Sequence, residues 1–118
     1  MLVLVIDDDH DIRSLVAEIL NEEGYHVVTA HDGIAGLAAV QQSLPDLVIC
    51  DERMPGLFGH QVCEQLYTNP LTAGIPIIMM SAHSYEIGQV PPNCVMRLRK
   101  PLSYDGLIIT VQDVIGDP

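Results

Sequence analysis

The stretch that decides the fold is PDLVICDERMPG, residues 45–56. Its short apolar run ends abruptly in charge at Asp51, Glu52 and Arg53. A run of this kind predicts a strand that is buried on both faces, as in a parallel sheet. The charge that follows has two explanations. Either the strand has reached water, or a carboxylate is held at the end of a rigid element to do chemistry.

Four further apolar runs of similar length recur along the chain. Together with the first, they span residues 2–6, 25–30, 46–50, 75–80 and 94–98. Amphipathic helical patterns lie between and after them, at residues 11–23, 33–44, 59–68 and 103–115. This alternation predicts an α/β fold in which helices cover both faces of a five-stranded parallel sheet.

One helix of that alternation is weak. The segment HSYEIGQVPPN, residues 83–93, contains Gly88, Pro91 and Pro92, which leave room for one or two helical turns at most. We therefore expect the fourth helix to be short or replaced by loop. A shortened fourth helix could leave apolar sheet surface uncovered, which would suit a protein partner or a homodimer contact.

Length and composition predict one domain that spans residues 1–118, because no linker or repeat divides the chain. A net charge of −11 argues against direct binding to nucleic acid, which needs a cationic surface, and is compatible with divalent cations. The apolar N-terminus is too short for a membrane span. Cys50, Cys63 and Cys94 form neither a disulfide framework nor a zinc motif, so a reducing cytoplasm is the expected compartment.

Polar side chains follow four of the predicted strands. Asp7 and Asp8 follow the first, Asp51 the third, Ser81 the fourth and Lys100 the fifth. In a parallel sheet these carboxyl ends share one edge, where ligands bind. Two carboxylates about 4 Å apart repel by roughly 4 kcal/mol at an effective dielectric constant near 20, so the cluster must hold a proton or a cation. Oxygen ligands favour Mg²⁺.

A carboxylate beside Mg²⁺, a lysine and a hydroxyl is an arrangement suited to phosphoryl transfer. The metal and the lysine neutralise phosphoryl oxygens, and the hydroxyl donates to one of them. Asp51 is the best candidate for a nucleophile that forms an acyl phosphate, because it stands alone at the end of a central strand. Asp7 and Asp8 make a natural metal-binding pair, and Asp9 is better explained as a helix cap.

Four stretches together resemble the response-regulator receiver domains of two-component signalling, in particular chemotaxis-regulator-like ones. They are VLVIDDD (3–9), PDLVICDERMPG (45–56) with Gly59, IPIIMMSA (75–82) and RKP (99–101). The resemblance extends from residue 2 to about residue 115. It implies a flavodoxin-like sheet in the order 2-1-3-4-5.

The resemblance also implies a role for each site residue. Asp51 would be the phosphorylation site, Ser81 the switch hydroxyl and Lys100 the phosphoryl clamp, followed by a cis bond to Pro101. Mg²⁺ would be held by Asp7 or Asp8, one of them through water, by Asp51 and by the backbone carbonyl of Arg53. Arg53 and His83 would flank the entry for attacking water and tune the lifetime of the acyl phosphate. The alternative is that these last two are solvated loop side chains.

Two features depart from the family pattern. Arg97 stands where receivers carry an aromatic residue that couples to the switch hydroxyl, and Tyr85 and Tyr104 are candidate substitutes for it. The interval from Ser81 to Lys100 is also a few residues short. Both features bear on the usual route of switching and on the usual dimer surface.

The function implied is that of a signalling phospho-acceptor rather than a metabolic enzyme. A histidine kinase or phosphotransfer protein would supply the phosphoryl group, and the modified domain would act on a downstream protein that the sequence does not identify. One rival is a pseudo-receiver that binds proteins without phosphorylation, which the departures favour and the intact acids oppose. A second is a metal-dependent phosphohydrolase, but Arg53 stands where that enzyme needs an acidic residue.

Overall fold

Five parallel strands form one sheet in the order β2-β1-β3-β4-β5 in the structure, a computed structural model that describes residues 1–82 and 89–118. The strands are β1 (Leu2–Ile6), β2 (His26–Ala30), β3 (Leu47–Asp51), β4 (Ile77–Ser81) and β5 (Cys94–Arg99). The helices within the described ranges are α1 (His10–Glu22), α2 (Gly33–Ser43), α3 (Gly59–Tyr67) and α4 (Tyr104–Ile115). The predicted flavodoxin-like architecture and strand order are thereby confirmed.

Three of the four helices in the described ranges begin where a short polar side chain caps them. Asp9 accepts hydrogen bonds from the backbone N–H groups of Asp11 and Ile12, at 2.9 and 3.3 Å. Asp32 caps α2 and Ser103 caps α4 in the same way. Because a capping oxygen replaces a backbone acceptor that the first helical turn lacks, these residues fix where each helix starts. Asp9 is thus a helix cap, as predicted.

The core lies on both faces of the three central strands. Alternate residues of β1 point to opposite sides, so that Val5 joins the cluster under α1 and α4, whereas Ile6 joins the cluster under α2 and α3. Every residue of β3 and β4 is buried. The ends of β1 and β3 are therefore held by packing on both sides, which makes them rigid supports for the residues that follow.

The two edge strands differ from this pattern. Val28 on β2 is 37% exposed and Val95 on β5 is 45% exposed. The prediction that all five apolar runs are buried on both faces is therefore wrong for β2 and β5. The physical reason is their position, because an edge strand has a neighbour on one side only, and apolar composition alone does not reveal which runs become edges.

The connection from β4 to β5 is described only in part. Residues 89–93 contain a bend and a turn but no helix, in agreement with the loop predicted there. His83 and Tyr85, for which roles were predicted, lie outside the described residues. Across the rest of the chain, no helix is both long enough and apolar enough to cross a bilayer.

The start of α3 lies directly against the end of β3. The N–H of Gly59 donates to the carbonyl of Glu52 at 2.9 Å. A Cβ atom at Gly59 would lie 2.5 Å from the carbonyl oxygen of Asp51 and 2.6 Å from Sδ of Met79. Glycine at this position therefore lets the helix approach the strand end that carries Asp51.

We expect Gly59→Ala to lower the free energy of unfolding by about 1–3 kcal/mol, because the new methyl group meets backbone that cannot move without disturbing β3. Urea denaturation followed by circular dichroism measures the change. Gly74→Ala is the matched control: a Cβ there would meet no atom within 4 Å. Its stability should stay within about 0.5 kcal/mol of wild type. Equal losses in the two variants would contradict the steric explanation.

Candidate functional site

The carboxyl ends of four strands converge at one edge of the sheet. Asp7 directly follows β1, Asp51 ends β3, Ser81 ends β4 and Lys100 directly follows β5. In the sheet register, Asp51 pairs with Met80, the residue before Ser81. The parallel arrangement thus brings residues from distant parts of the sequence to one place, as the sequence predicts.

Three carboxylates form a cluster at this edge. One oxygen each from Asp7, Asp8 and Asp51 lies within 4.8 Å of the others. Asp7 is fully buried, Asp51 is 6% exposed and Asp8 is exposed. The cluster is therefore open to solvent on the side of Asp8 and enclosed by protein on the side of Asp7.

Lys100 bridges the two buried members of the cluster. Its Nζ atom lies 3.1 Å from Oδ2 of Asp7 and 3.1 Å from Oδ1 of Asp51. Burial opposes the charged ammonium, but the neighbouring charges of Asp51 and Asp7 outweigh it and raise the pKa of Lys100. The backbone also holds this lysine in place, since its N–H donates to the Ser81 carbonyl at 2.8 Å and the predicted cis bond to Pro101 is present.

The negative charge of the cluster exceeds what Lys100 neutralises. Burial and the charge of Asp7 raise the pKa of Asp51 to about 6, although Lys100 acts in the opposite direction. A hard divalent cation would relieve this repulsion. The donors in the cluster are all carboxylate oxygens and one of them faces solvent, which suits Mg²⁺ with water completing its coordination. The residues present therefore fit a magnesium site.

Two groups that sequence reasoning missed hold Asp7 in place. Nη1 of Arg13 donates to the backbone carbonyl of Asp7 at 2.8 Å, and the N–H of Asp9 donates to its Oδ1 at 2.9 Å. Arg13 lies in the first turn of α1, close to the acidic loop. That proximity was the signal available in the sequence, but helical periodicity does not determine where a long side chain points.

Glu52 is a buried carboxylate beside the cluster, which the sequence did not indicate. It is 2% exposed, and its Oε1 accepts from the His60 N–H at 3.2 Å and lies 2.7 Å from Nδ1 of the same residue. Its Oε2 has no hydrogen-bond partner among the described residues. Of the three charged residues that follow the apolar run, only Arg53 is exposed. The chain therefore does not simply reach water at Asp51.

The remaining candidate residues lie in different surroundings. Ser81 is 2% exposed at the end of β4, whereas Arg53 borders a surface hollow with Met54, Pro55 and Phe58. The hydroxyl of Tyr104 donates to Glu23, after the end of α1, at 3.3 Å. Tyr104 thus bonds to the residue that follows α1, while Tyr85 and His83 lie outside the described residues.

Comparison with known proteins gives a consistent match. The model of the response regulator receiver domain family matches residues 3–111. Over 88 residues, the chain is 41% identical to the DNA-binding dual master transcriptional regulator RpaA of Synechocystis sp., covering 75% of this chain and 35% of that protein. It is 38% identical to the alkaline phosphatase synthesis transcriptional regulatory protein PhoP of Bacillus subtilis, with 75% and 36% covered. The chain thus matches about a third of the length of these relatives.

Solved structures show the same architecture. The chain superimposes on the response regulator TrrA of Thermotoga maritima, solved in complex with Mg²⁺-BeF, with a TM-score of 0.87 and 31% identity over 96% of this chain and 97% of that one. The chemotaxis response regulator CheY4 of Vibrio cholerae gives a TM-score of 0.85 and 30% identity, also with 96% and 97% covered. Both comparisons cover nearly the full length of each chain.

The raised pKa of Asp51 predicts how stability depends on pH. With a folded pKa near 6 and an ordinary unfolded value of 3.8, the folded state binds more protons between these values, so stability falls as pH rises through about 6. Asp51→Asn replaces the carboxyl group with an amide that has a similar shape and carries no charge. It should therefore stabilise the metal-free protein at pH 7.5 by about 1–2 kcal/mol and give a smaller gain near pH 4.5.

Urea denaturation in the presence of a chelator, at both pH values, measures this difference. Glu18→Gln, on the exposed face of α1, is the matched control and should show no comparable gain. If Asp51→Asn were less stable than wild type at pH 7.5, the ion pair with Lys100 would outweigh the repulsion from Asp7, contrary to our expectation.

Proposed function

Because this chain belongs to the response regulator receiver domain family, we propose that residues 1–118 act as a single phospho-acceptor domain that is modified on Asp51 in a Mg²⁺-dependent reaction. The observation that carries this proposal is the convergence of three carboxylates on one point, with the Lys100 ammonium 3.1 Å from two of them. This arrangement places a nucleophile, a cation site and a fixed positive charge within reach of one phosphoryl group.

Asp51 supplies the nucleophile in this proposal. A carboxylate oxygen of Asp51 forms a bond to phosphorus while the P–N bond to the phosphohistidine of the donor breaks, and the lone pair returns to the leaving imidazole. The carboxyl group must be ionised to attack, and a cation that lowers the raised pKa of Asp51 keeps it so at neutral pH. The rigid end of β3 holds the carboxylate in position for in-line attack.

Lys100 and the metal site both stabilise the negative charge of the phosphoryl group in this proposal. Lys100 keeps its proton and exchanges a carboxylate partner for an oxygen of the phosphoryl group. The side chains of Asp7, Asp8 and Asp51 and the backbone carbonyl of Arg53 would hold Mg²⁺, which supplies Lewis-acid neutralisation of the phosphoryl oxygens. Asp7 is suited to this because Arg13 and the N–H of Asp9 already fix its position.

Ser81 provides the link from modification to signal in this proposal. Its buried hydroxyl ends the strand next to β3 and would donate to a phosphoryl oxygen on Asp51. That bond would draw the end of β4 towards the site, so it favours one of two conformations. Attack of water on the acyl phosphate reverses the signal, and Arg53 and His83 are proposed to tune its rate.

The partners follow from this chemistry. A histidine kinase or phosphotransfer protein supplies the phosphoryl group, a downstream protein reads the result, and the exchange takes place in the cytoplasm. The name of the Synechocystis relative describes DNA binding, but the match covers only 35% of that protein. With a net charge of −11, the domain is not proposed to contact nucleic acid itself.

We expect the purified chain to become about 80 Da heavier when incubated with Mg²⁺ and a small phosphodonor such as acetyl phosphate, because one phosphoryl group is added. Intact-mass spectrometry under quenched conditions measures the adduct. A chelator should abolish it, and Asp51→Asn should show none. An unmodified wild type, indistinguishable from Asp51→Asn, would instead favour a pseudo-receiver that binds partners without phosphorylation.

Removal of the Lys100 charge should slow the reaction without preventing folding. We expect Lys100→Ala to lower the initial rate of adduct formation by on the order of 10²-fold, the usual effect of losing one preorganised charge at a transition state. Arg99→Ala is the matched control, because it removes an adjacent, exposed positive charge. Equal rate losses in both variants would indicate a general charge effect and contradict the role of Lys100.

A further inference from the structure

A buried carboxyl group next to the acidic cluster has no part in the function proposed above. Glu52 directly follows Asp51, the last residue of β3, and is 2% exposed. Among the described residues, the group of carboxylates that could hold a metal ion does not include it. Its Oε2 has no hydrogen-bond partner within the same part of the chain. A buried carboxyl group with an unpaired oxygen is unfavourable, so its presence calls for an explanation.

Glu52 caps the start of α3. Phe58 stands at the N-cap position of this helix, and its side chain has no atom that accepts a hydrogen bond. Oε1 of Glu52 takes over this role, because the backbone N–H of His60 donates to it at 3.2 Å. Nδ1 of the His60 ring lies 2.7 Å from the same oxygen. Since an ionised carboxylate can only accept, Nδ1 is the donor, and the bond fixes the orientation of the ring.

The backbone of Glu52 is anchored on both sides. Its N–H donates to the carbonyl of Met80 in β4 at 2.9 Å, and its carbonyl accepts from the N–H of Gly59 at 2.9 Å. The two backbone bonds and the two at Oε1 thus tie β4 and the first turn of α3 to one residue. Glu52 is therefore held more firmly than a residue that only follows a strand.

These bonds close the base of the loop formed by residues 53–58. Arg53 follows Glu52 directly, and its backbone carbonyl is one of the oxygens in the proposed metal site. Because the peptide unit is planar, only the two dihedral angles of Arg53 separate this carbonyl from the anchored carbonyl of Glu52. The far end of the loop is also fixed, since the N–H of Phe58 donates to Oε1 of Gln61 at 2.8 Å. The position of the Arg53 carbonyl therefore depends on how firmly Glu52 is held.

We propose that Glu52 and His60 form a positioning pair, the Glu52–His60 clamp, which holds residues 53–58 in the conformation that presents the Arg53 carbonyl to Mg²⁺. This inference rests on the function proposed above and gives both residues a part in metal binding without contact with the metal. A helix cap alone is a poorer explanation, because a short polar side chain at position 58 would provide one without burying a carboxyl group. Groups that orient a metal ligand commonly contribute about 10–100-fold to affinity.

The test is a titration of the full chain with Mg²⁺, followed by NMR chemical shifts and without a phosphodonor. Glu52→Ala removes the acceptor and should raise the Kd for Mg²⁺ by on the order of tenfold. Glu52→Gln removes the charge but keeps an oxygen that accepts from His60, so its Kd should stay within about twofold of wild type. His60→Phe removes Nδ1 but keeps a ring and the backbone N–H, and should raise the Kd at least about threefold.

A double variant tests whether the two residues act as a unit. Glu52→Ala combined with His60→Phe should bind Mg²⁺ about as weakly as Glu52→Ala alone, because the second change removes a bond that is already lost. At saturating Mg²⁺, the initial rate of adduct formation in Glu52→Ala should return to within about twofold of wild type. That recovery would separate a positioning role in metal binding from a direct role in the reaction.

Thr72→Val is the matched control for a loss of stability. Thr72 is 1% exposed and lies beyond the other end of α3, where its hydroxyl donates to the carbonyl of Leu66 at 2.7 Å. Its replacement removes a buried hydrogen bond and should leave the Kd for Mg²⁺ within about twofold of wild type. Hydrogen exchange of the metal-free protein adds a second measurement. Glu52→Ala should lose protection of the Gly59 and His60 amides, whereas Thr72→Val should retain it.

Three results would overturn the clamp: a folded Glu52→Ala variant with the Kd of wild type, a Glu52→Gln variant that binds no better than Glu52→Ala, or a Thr72→Val variant that binds as weakly. If Glu52→Ala does not fold, His60→Phe decides, since this residue is partly exposed, and an unchanged Kd would overturn the clamp equally. A wild type that neither binds Mg²⁺ nor gains a phosphoryl group would remove the proposed function as well. A wild type that does both, beside an equally competent Glu52→Ala, would remove the clamp alone.

Discussion

The site depends on a repulsion that the fold maintains. Packed strands hold Asp7 and Asp51 close together, and the exposed Asp8 adds a third negative charge to the same point. A flexible chain would separate such groups, because repulsion between carboxylates about 4 Å apart is worth roughly 4 kcal/mol at an effective dielectric constant near 20. Here the core on both faces of β1 and β3 prevents it. Lys100 offsets part of the repulsion, and the part that remains would favour the binding of a cation.

The backbone that supports the carboxylates is rigid, so their relative positions are fixed despite the repulsion. Gly59 allows α3 to begin against the Asp51 carbonyl, and Arg13 anchors the Asp7 carbonyl from the first turn of α1. Glu52 is held by His60 from the start of α3. Helices on opposite faces of the sheet thus each hold one acidic strand end. A carboxylate held in this way loses little further freedom when it reacts, which is the usual benefit of preorganisation.

The sequence predicted the elements because its local signals were strong and consistent. Asp9 and Ser103 cap helices that start within one residue of the predicted positions, and four strand ends carry the expected polar residues. Features that depend on three-dimensional packing were not predicted. The burial of Glu52 depends on where α3 begins, and the hydrogen bond from Asn93 to the carbonyl of Cys63 joins a loop to a helix well separated from it in sequence. The exposure of β2 and β5 follows from strand order, which apolar composition does not determine.

The edge strand β5 leads directly into Lys100, whose ammonium lies 3.1 Å from Oδ1 of Asp51. Among the described strands, β5 pairs with β4 alone, and its register shifts where the partners of Ile77 and Ile78 change from Cys94 to Met96. An irregularity of this kind bends the strand and interrupts the ladder locally. It lies at the amino end of β5, whereas the pairing is regular from Met96 to Arg99, the residue before Lys100. The position of the Lys100 ammonium is therefore set by the regular half of the strand and by its pairing with β4.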